Sequence, residues 1–206
     1  LVLIALSGYV AAHGKPMAFY SDKAGVFRVN GQRGGGDGIT QFGRALYELS
    51  ITGLCANTPQ AKGRVERAHY TLQDRLVKEL RLAGIASVEA ANAFMPAFMA
   101  QYNARFARAA RDARDARRPL RGDEDLRLIL SWREPRRVSN NLTLQYDKQL
   151  YLLEDTPDSR QLIGKTAEVY VYPDGAIEIR AAGTALPYAT YDRLPTIDQG
   201  AVVDHK

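Results

Sequence analysis

Two carboxylates stand at places where an enzyme could use them. Glu66 lies between Arg64 and Arg67, shortly after Lys62, near the start of a predicted helix. Asp22 follows the apolar run MAFY, which is typical of a strand buried in a sheet that is covered on both faces. Because sites in α/β proteins assemble at strand ends, both acids are candidates for chemistry.

Magnesium chemistry is what these residue types suggest. Two carboxylates brought together would repel each other unless a cation lay between them. Mg²⁺ suits that place, because it takes oxygen ligands and shares its coordination shell with phosphates. A pair of such ions can activate an attacking oxygen and stabilise a leaving one in phosphodiester chemistry. Lys62, Arg64 and Arg67 would then hold the DNA backbone beside the metals.

A purely structural interpretation competes with this one. Glu66 could be an acid in the first turn of its helix, where the helix dipole favours negative charge. Asp22 could be an ordinary turn residue at the end of a strand. Residue spacing alone leaves both interpretations open.

Composition narrows the class of protein. The 206 residues are enough for one medium domain, or for one domain and a small second one. Residues 1–138 hold 22 Lys/Arg and 13 Asp/Glu, whereas residues 139–206 hold 6 and 10, so +9 and −4 give the net charge of +5. A basic front part suggests a polyanionic partner such as nucleic acid, although arginine-rich helices facing solvent would explain it equally well. The single cysteine, Cys55, excludes an internal disulfide and fits a reducing cytoplasm.

The elements that must position the two acids follow from periodicity and turn residues. The pattern predicts helices over residues 1–13, 40–49, about 62–83 and from 87 to about 107, with strands over 17–22 and 50–56. The first helix has its apolar positions at Leu1, Ile4, Ala5, Gly8 and Ala12. The glycine-rich stretch 31–38 predicts a flexible loop. A phosphate-binding loop is the alternative, but no Gly-Lys-Ser/Thr sequence follows.

Arginine recurs every third residue from Arg105 to Arg117. On a helix of 3.6 residues per turn this spacing spirals around the axis, which favours a solvated helical extension over a dedicated basic face. Residues 119–138 then predict a linker with one short helix capped by Asp123.

From residue 139 the periodicity changes to two, which indicates strands. The β-rich runs are residues 142–146, 149–153, 167–172, 176–180 and 185–191. Tyr172-Pro-Asp-Gly-Ala176 predicts a hairpin turn between two of them. Five short strands within about fifty residues favour a small antiparallel barrel.

Two of these segments also resemble a known family. FYSDKAGVFR (residues 19–28) and NTPQAKGRVERAHYTLQDRLVKELR (residues 57–81) resemble the second-Asp and Glu motifs of DDE transposases with a retroviral-integrase-type core, especially ISNCY-type bacterial insertion-sequence transposases. The resemblance covers roughly residues 10–105, and residues 138–194 are similar to the small β-barrel that follows such cores. The motif positions matched in the second segment are Asn57, Pro59, Gln60, Lys62, Gly63, Val65, Glu66 and Arg67.

The resemblance implies an RNase H-like core over residues 1–105, a basic helical linker over 106–138, a small all-β barrel over 139–194 and a tail. It implies strand cleavage and transfer on transposon ends and target DNA by a transposase multimer, dependent on Mg (or Mn). Asp22 and Glu66 would be catalytic metal ligands. The DNA-binding residues would be Asn57, Lys62, Arg64, Arg67 and Gln73. No membrane partner and no small-molecule substrate are expected.

One departure from the family limits what the resemblance implies. The family's first catalytic Asp, the opening strands of its core and its helix-turn-helix region correspond to positions upstream of Leu1. We therefore expect an N-terminally truncated transposase, with a partial RNase H-like core missing its first strands, that is inactive alone. The alternative is a non-catalytic module that binds DNA or a transposase.

Overall fold

The computed structural model describes residues 1–29, 38–56 and 58–191, so the predicted loop at 31–38 lies almost entirely outside the described residues. The chain divides into two compact units. Residues 13–119 form one unit, and residues 1–12 group with the residues from 120 onward in the other. Within the described ranges, no helix combines the length and the apolar character that crossing a membrane would need.

The helices and strands predicted for the first hundred residues are present. In chain order they are α1 Val2–His13, β1 Ala18–Ser21, α2 Gln41–Glu48, β2 Thr52–Cys55, α3 Pro59–Leu82 and α4 Val88–Phe106. Local signals set several of the boundaries. Thr40 caps α2 by accepting the amide of Gly43 at 2.9 Å, and Ser87 caps α4 by accepting the amide of Ala90 at 3.1 Å. A left-handed glycine, Gly84 with φ +66°, follows α3 as predicted.

The parallel pair of β1 and β2 is covered by α2 on one face. Phe42 of α2 meets the rings of Phe19 and Phe27 edge-on, with ring centroids 6.2 Å and 5.1 Å apart. On the opposite face Tyr20 and Leu54 lie side by side in the register and are 49% and 47% exposed. The expectation of a sheet covered on both faces is therefore wrong for the described residues, because α2 supplies apolar side chains to one face only.

The buried face of α1 also differs from the expected one. Leu6 and Val10 are buried, at 3% and 1% exposure, whereas Leu1 and Ile4 of the predicted face are exposed. The helix carries apolar residues on nearly every side, so its periodicity could not identify the buried side. Its predicted end is confirmed, since Gly14 follows with φ +79°.

The predicted helical extension after α4 is wrong. The helix ends at Phe106, and residues 107–119 contain no helix. Instead, the amides of Arg114 and Arg117 donate to Asp112 Oδ1 and Asp115 Oδ1 at 3.1 Å and 3.0 Å. Such aspartate-to-backbone hydrogen bonds give the chain an alternative to helical pairing, which explains why this stretch does not continue the helix.

The second unit carries the remaining elements. They are α5 Leu126–Ile129, β3 Trp132–Arg137, β4 Thr143–Tyr146, β5 Gln149–Leu153, α6 Pro157–Gln161, β6 Thr166–Val171, β7 Ile177–Ala181, β8 Thr184–Leu186 and β9 Tyr188–Tyr191. Two predictions for the linker need correction. Asp125, not Asp123, caps α5 by accepting two amides, and β3 lies inside the predicted linker. Pro135 argued against a strand here, because proline cannot donate a backbone hydrogen bond. However, β3 pairs with β6 alone, and an edge strand tolerates proline.

The strands of this unit form two sheets rather than one closed barrel among the described residues. Their orders are β3-β6-β7-β8 and β4-β5-β9, and every pairing is antiparallel. Both sheets contribute side chains to one core, which includes Tyr151 and Leu153 from one sheet and Val169 and Ile179 from the other. The predicted hairpin turn is confirmed, with Gly175 at φ +82°. Each strand belongs to one sheet only, and the chain passes from β3 to β4, from β5 to β6 and from β8 to β9 as it moves between the sheets.

Candidate functional site

Asp22 lies directly after β1, where its carboxylate is exposed. Its Oδ1 accepts the amide of Ala24 at 2.9 Å, so the structural role in a turn is present. The amide of Ala56 donates to the carbonyl of Ser21 at 2.8 Å, which holds the ends of β1 and β2 together. Asp22 therefore stands at the carboxyl edge of the strand pair, the edge from which the chain leads into α3.

Glu66 lies deeper in its helix than the sequence suggested. Helix α3 begins at Pro59, a residue favoured at the first helical position, and its first turn contains no acid. At a rise of about 1.5 Å per residue, Glu66 is roughly 10 Å along the axis from Pro59. The interpretation of Glu66 as a first-turn acid stabilised by the helix dipole is therefore wrong, because that effect fades within the first turn.

The surroundings of Glu66 are open and carry positive charge. Its side chain is exposed and lines a shallow surface hollow with Gln60, Gly63, Arg67 and Tyr70. Arg67 donates from Nε to the carbonyl of Gly63 at 2.9 Å, which directs its guanidinium back along the helix. Glu66 makes no ion pair with the residues whose side chains the structure describes. An acid and a guanidinium thus share one hollow that is open to a large ligand.

The other predicted DNA-binding residues are placed as follows. Gln73 is exposed, two helical turns after Glu66 and on the same side of α3. Lys62 and Arg64 belong to the early turns of α3, and their side chains lie outside the described part of the structure. Asn57 lies outside the described residues altogether. Asp22 is not among the residues that line the hollow beside Glu66.

The donor set agrees with magnesium in ligand type. Mg²⁺ is commonly held by one or two carboxylates together with waters and substrate phosphates. Asp22 and Glu66 are exposed, so an ion held by either could keep its waters and take a phosphate oxygen. In the described ranges, no three or more Asp, Glu, His or Cys side chains gather where they could hold a metal ion. The two acids would therefore supply only part of the ligand set.

The sequence analysis did not predict a cluster of arginine and aromatic side chains between α3 and α4. The guanidinium carbons of Arg75 and Arg105 lie 4.9 Å and 5.5 Å from the ring centroid of Phe106, whose neighbour Tyr102 is 4.7 Å away, centroid to centroid. Phe106 is still 38% exposed. The signal that could have found the cluster is the recurrence of an aromatic residue every fourth position along α4, which stacks these rings on one side of the helix.

Comparison with known proteins gives a consistent result. No family model matches the chain. Over 204 residues, or 98% of its length, it is 47% identical to the Sinorhizobium fredii protein named "Putative transposase y4bF", of which it covers 45%. Over 181 residues, or 86% of its length, it is 30% identical to the Streptococcus pneumoniae protein named "Transposase for insertion sequence IS1202", of which it covers 38%. The chain therefore spans less than half the length of these curated relatives. It is a homologue of bacterial proteins named as transposases, and it matches a part of each.

Proposed function

We propose that the chain acts in DNA transposition as part of a DDE-type transposase, with Asp22 and Glu66 as two of the metal-ligand carboxylates. The observation that carries the proposal is the open hollow on α3, where Glu66 lies beside Arg67 and makes no ion pair with the described side chains. The similarity to transposases extends over 204 residues and so includes the segments that bear both acids. An RNase H-like core is part of this proposal.

The chemistry assigned to these residues follows from their types and exposure. When bound, magnesium would polarise a phosphoryl oxygen and favour an attacking hydroxyl. Asp22 and Glu66 would position the ion through their carboxylate oxygens. Arg67, with its guanidinium exposed in the same hollow as Glu66, would bind a neighbouring phosphate through charge-assisted hydrogen bonds. Gln73, further along the same side of α3, would contact the DNA backbone or a base edge.

The partners and the location belong to the same proposal. They are transposon-end and target DNA, other copies of the transposase in a multimer, Mg²⁺ or Mn²⁺, and the bacterial cytoplasm. The relatives' names support transposition, and the reaction itself is assigned to the whole protein of which this chain would be a part.

Metal-directed cleavage of the polypeptide tests the site on the chain as it exists. With added hydrogen peroxide and ascorbate, Fe²⁺ placed in a magnesium site reduces the peroxide to hydroxide and a hydroxyl radical, which cuts the backbone nearby. We expect cuts close to Asp22 and Glu66 that excess Mg²⁺ suppresses, and we expect Asp22→Asn or Glu66→Gln to remove them. Asp22→Asn keeps an oxygen that can accept the Ala24 amide, so the turn is preserved.

A matched control lies on the same helix. Asp74 is an exposed acid that pairs with Lys78 at 2.7 Å, so Asp74→Asn should leave the cuts unchanged. Cuts that are absent, or that persist in both site variants, would overturn the assignment of Asp22 and Glu66 as metal ligands.

A second function is favoured by the exposed arginines that follow α4. A non-catalytic DNA-binding module would bind DNA equally well with and without Mg²⁺, and its affinity would survive both site substitutions. Under the transposase proposal, Mg²⁺ strengthens DNA binding by the unaltered chain and does so less for Glu66→Gln.

A further inference from the structure

We propose that Arg75, Arg105, Arg108 and Arg111 form a second DNA-contacting surface, separate from the hollow beside Glu66, which binds phosphates of duplex DNA. We call it the arginine surface. The inference rests on the proposed function, because it takes DNA as the partner. It names a contact that the transposase motifs do not include.

The regular arginine series divides into two groups with different partners. Arg114 and Arg117 form ion pairs with Asp112 and Asp115, with N–O distances of 2.6 Å and 2.7 Å. Both guanidiniums also donate from Nε to the same carboxylates, so these pairs are bidentate. The pairs neutralise the second half of the series.

The first group has no such compensation. Arg105, Arg108 and Arg111 are exposed and make no ion pair with any residue that the structure describes. The hydrogen bond from Arg117 is the main reason that the pKa of Asp115 falls to about 2, which agrees with the pairing of this acid with its own arginine. Three uncompensated positive charges therefore occupy the stretch that begins at the end of α4.

Arg75 of α3 adds a fourth positive charge next to the end of α4. Arg75 of α3 and Arg105 of α4 approach the ring of Phe106 at 4.9 Å and 5.5 Å, and Glu79 and Gln101 line the same small hollow. Cation–π contacts limit the motion of the two guanidiniums without neutralising them. Two like charges on one ring repel each other, and a phosphate oxygen between them would relieve that repulsion.

Duplex DNA fits the spacing of these charges. The stretch after Phe106 is not helical, so arginines three residues apart can stand up to about 10 Å from each other along the chain. Each DNA strand presents a phosphate about every 3.4 Å along the helix axis, so successive arginines can each meet one. On a continuing helix these arginines would point to different sides, but residues 107–119 contain no helix, so that argument against a shared basic surface does not apply.

Salt dependence of DNA binding tests the surface on the full 206-residue chain. The variant Arg108→Ala/Arg111→Ala removes two uncompensated charges, and Arg114→Ala/Arg117→Ala removes two paired ones. Each double variant lowers the net charge by two and alters exposed residues of the same segment. A general loss of electrostatic attraction to DNA would therefore weaken binding equally in the two variants. Binding to a fluorescein-labelled duplex of mixed sequence is followed by anisotropy from about 50 to 200 mM salt, the range over which phosphate contacts dominate affinity.

We expect the first variant to make the slope of log K against log salt less negative by about 1.8, or 0.9 for each phosphate that the chain no longer neutralises. The second variant should leave that slope nearly unchanged. Equal changes in both variants would overturn the arginine surface and leave the proposed function intact. A wild-type chain without salt-dependent binding would overturn the proposed function itself.

Single-stranded DNA distinguishes phosphate contact from base stacking on the exposed ring. Phe106→Leu should weaken binding to a single strand no more than binding to the duplex. A selective weakening for the single strand would overturn the duplex assignment, because stacking on aromatic rings is the mark of single-strand binding.

Discussion

Replacing Gly14 with alanine should detach the stretch that carries the arginine series from the rest of its unit. Gly14 has φ +79°, and a Cβ built there would lie 2.8 Å from the carbonyl oxygen of Arg118. Residue 118 is held at that place by an antiparallel bridge, in which the amides of Lys15 and Arg118 each donate to the other's carbonyl at 2.7 Å and 2.8 Å. A methyl group at position 14 cannot coexist with this bridge.

The magnitude follows from two separate costs. A left-handed backbone costs a residue with a Cβ about 1–2 kcal/mol. Relieving the clash means breaking the bridge, and its two hydrogen bonds contribute about 1 kcal/mol each. Gly14→Ala should therefore lower the free energy of unfolding by about 3–4 kcal/mol in total.

Gly84 provides a matched control in the same unit. It also follows a helix with φ +66°, but no atom lies within 4 Å of where its Cβ would be. Gly84→Ala should therefore cost only the backbone term of about 1–2 kcal/mol. The difference between the two variants isolates the bridge.

Urea unfolding and limited trypsin digestion measure the two consequences. Trypsin should cut after Arg117 faster in Gly14→Ala than in Gly84→Ala, because detached backbone is accessible to proteases. If both variants lose the same stability and keep the same cutting rate, the bridge does not hold this stretch and the reasoning is refuted.

Two further predictions concern the second unit. Ile179 is fully buried between the two sheets, so Ile179→Ala should cost about 2–5 kcal/mol in thermal unfolding, whereas Ile163→Ala, at 38% exposure, should cost far less. For Tyr172, burial and then the hydrogen bond to Glu178 raise the phenol pKa to about 12. A raised folded-state pKa stabilises below the ordinary value of 10.0, and that stability is lost as pH rises from there toward 12. Ultraviolet titration should show this late ionisation, and Glu178→Gln should bring it earlier; an unchanged titration would exclude the hydrogen bond as a cause.

Sequence signals that act within a few residues predicted the local structure well. The caps at Thr40 and Ser87 and the glycine turn at Gly175 each depend on one side chain or one backbone angle. Such signals need no knowledge of distant contacts. The elements around the candidate site were predictable for this reason.

Features that depend on packing were not predictable. The buried face of α1 could not be identified in an evenly apolar helix, and the open face of β1 depends on which elements cover the sheet. The helix prediction after Phe106 was wrong for a different reason. Asp112 and Asp115 accept backbone amides two residues further on, and these local hydrogen bonds compete with helix formation in a sequence that otherwise favours it.

The candidate site depends on local sequence signals and also on packing between distant elements. The sequence prediction began this helix at about residue 62 and so placed Glu66 too near its start, although α3 begins at Pro59, a residue favoured at the first helical position. Whether Asp22 and Glu66 approach each other depends on how α3 leaves the strand pair, which periodicity does not encode. The hypothesis of a shared metal therefore stays a prediction that metal-directed cleavage can test.

The pattern of ion pairs separates acids with a structural role from acids available for chemistry. Glu48 pairs with Arg44 at 2.9 Å and Asp74 with Lys78 at 2.7 Å, each across one helical turn. Glu66 is exposed on α3, as Asp74 is, but it makes no such pair with the described side chains and is too far along α3 to benefit from the helix dipole. Under the proposed function, a cation bound from solution would give Glu66 the charged partner that it lacks among the described side chains.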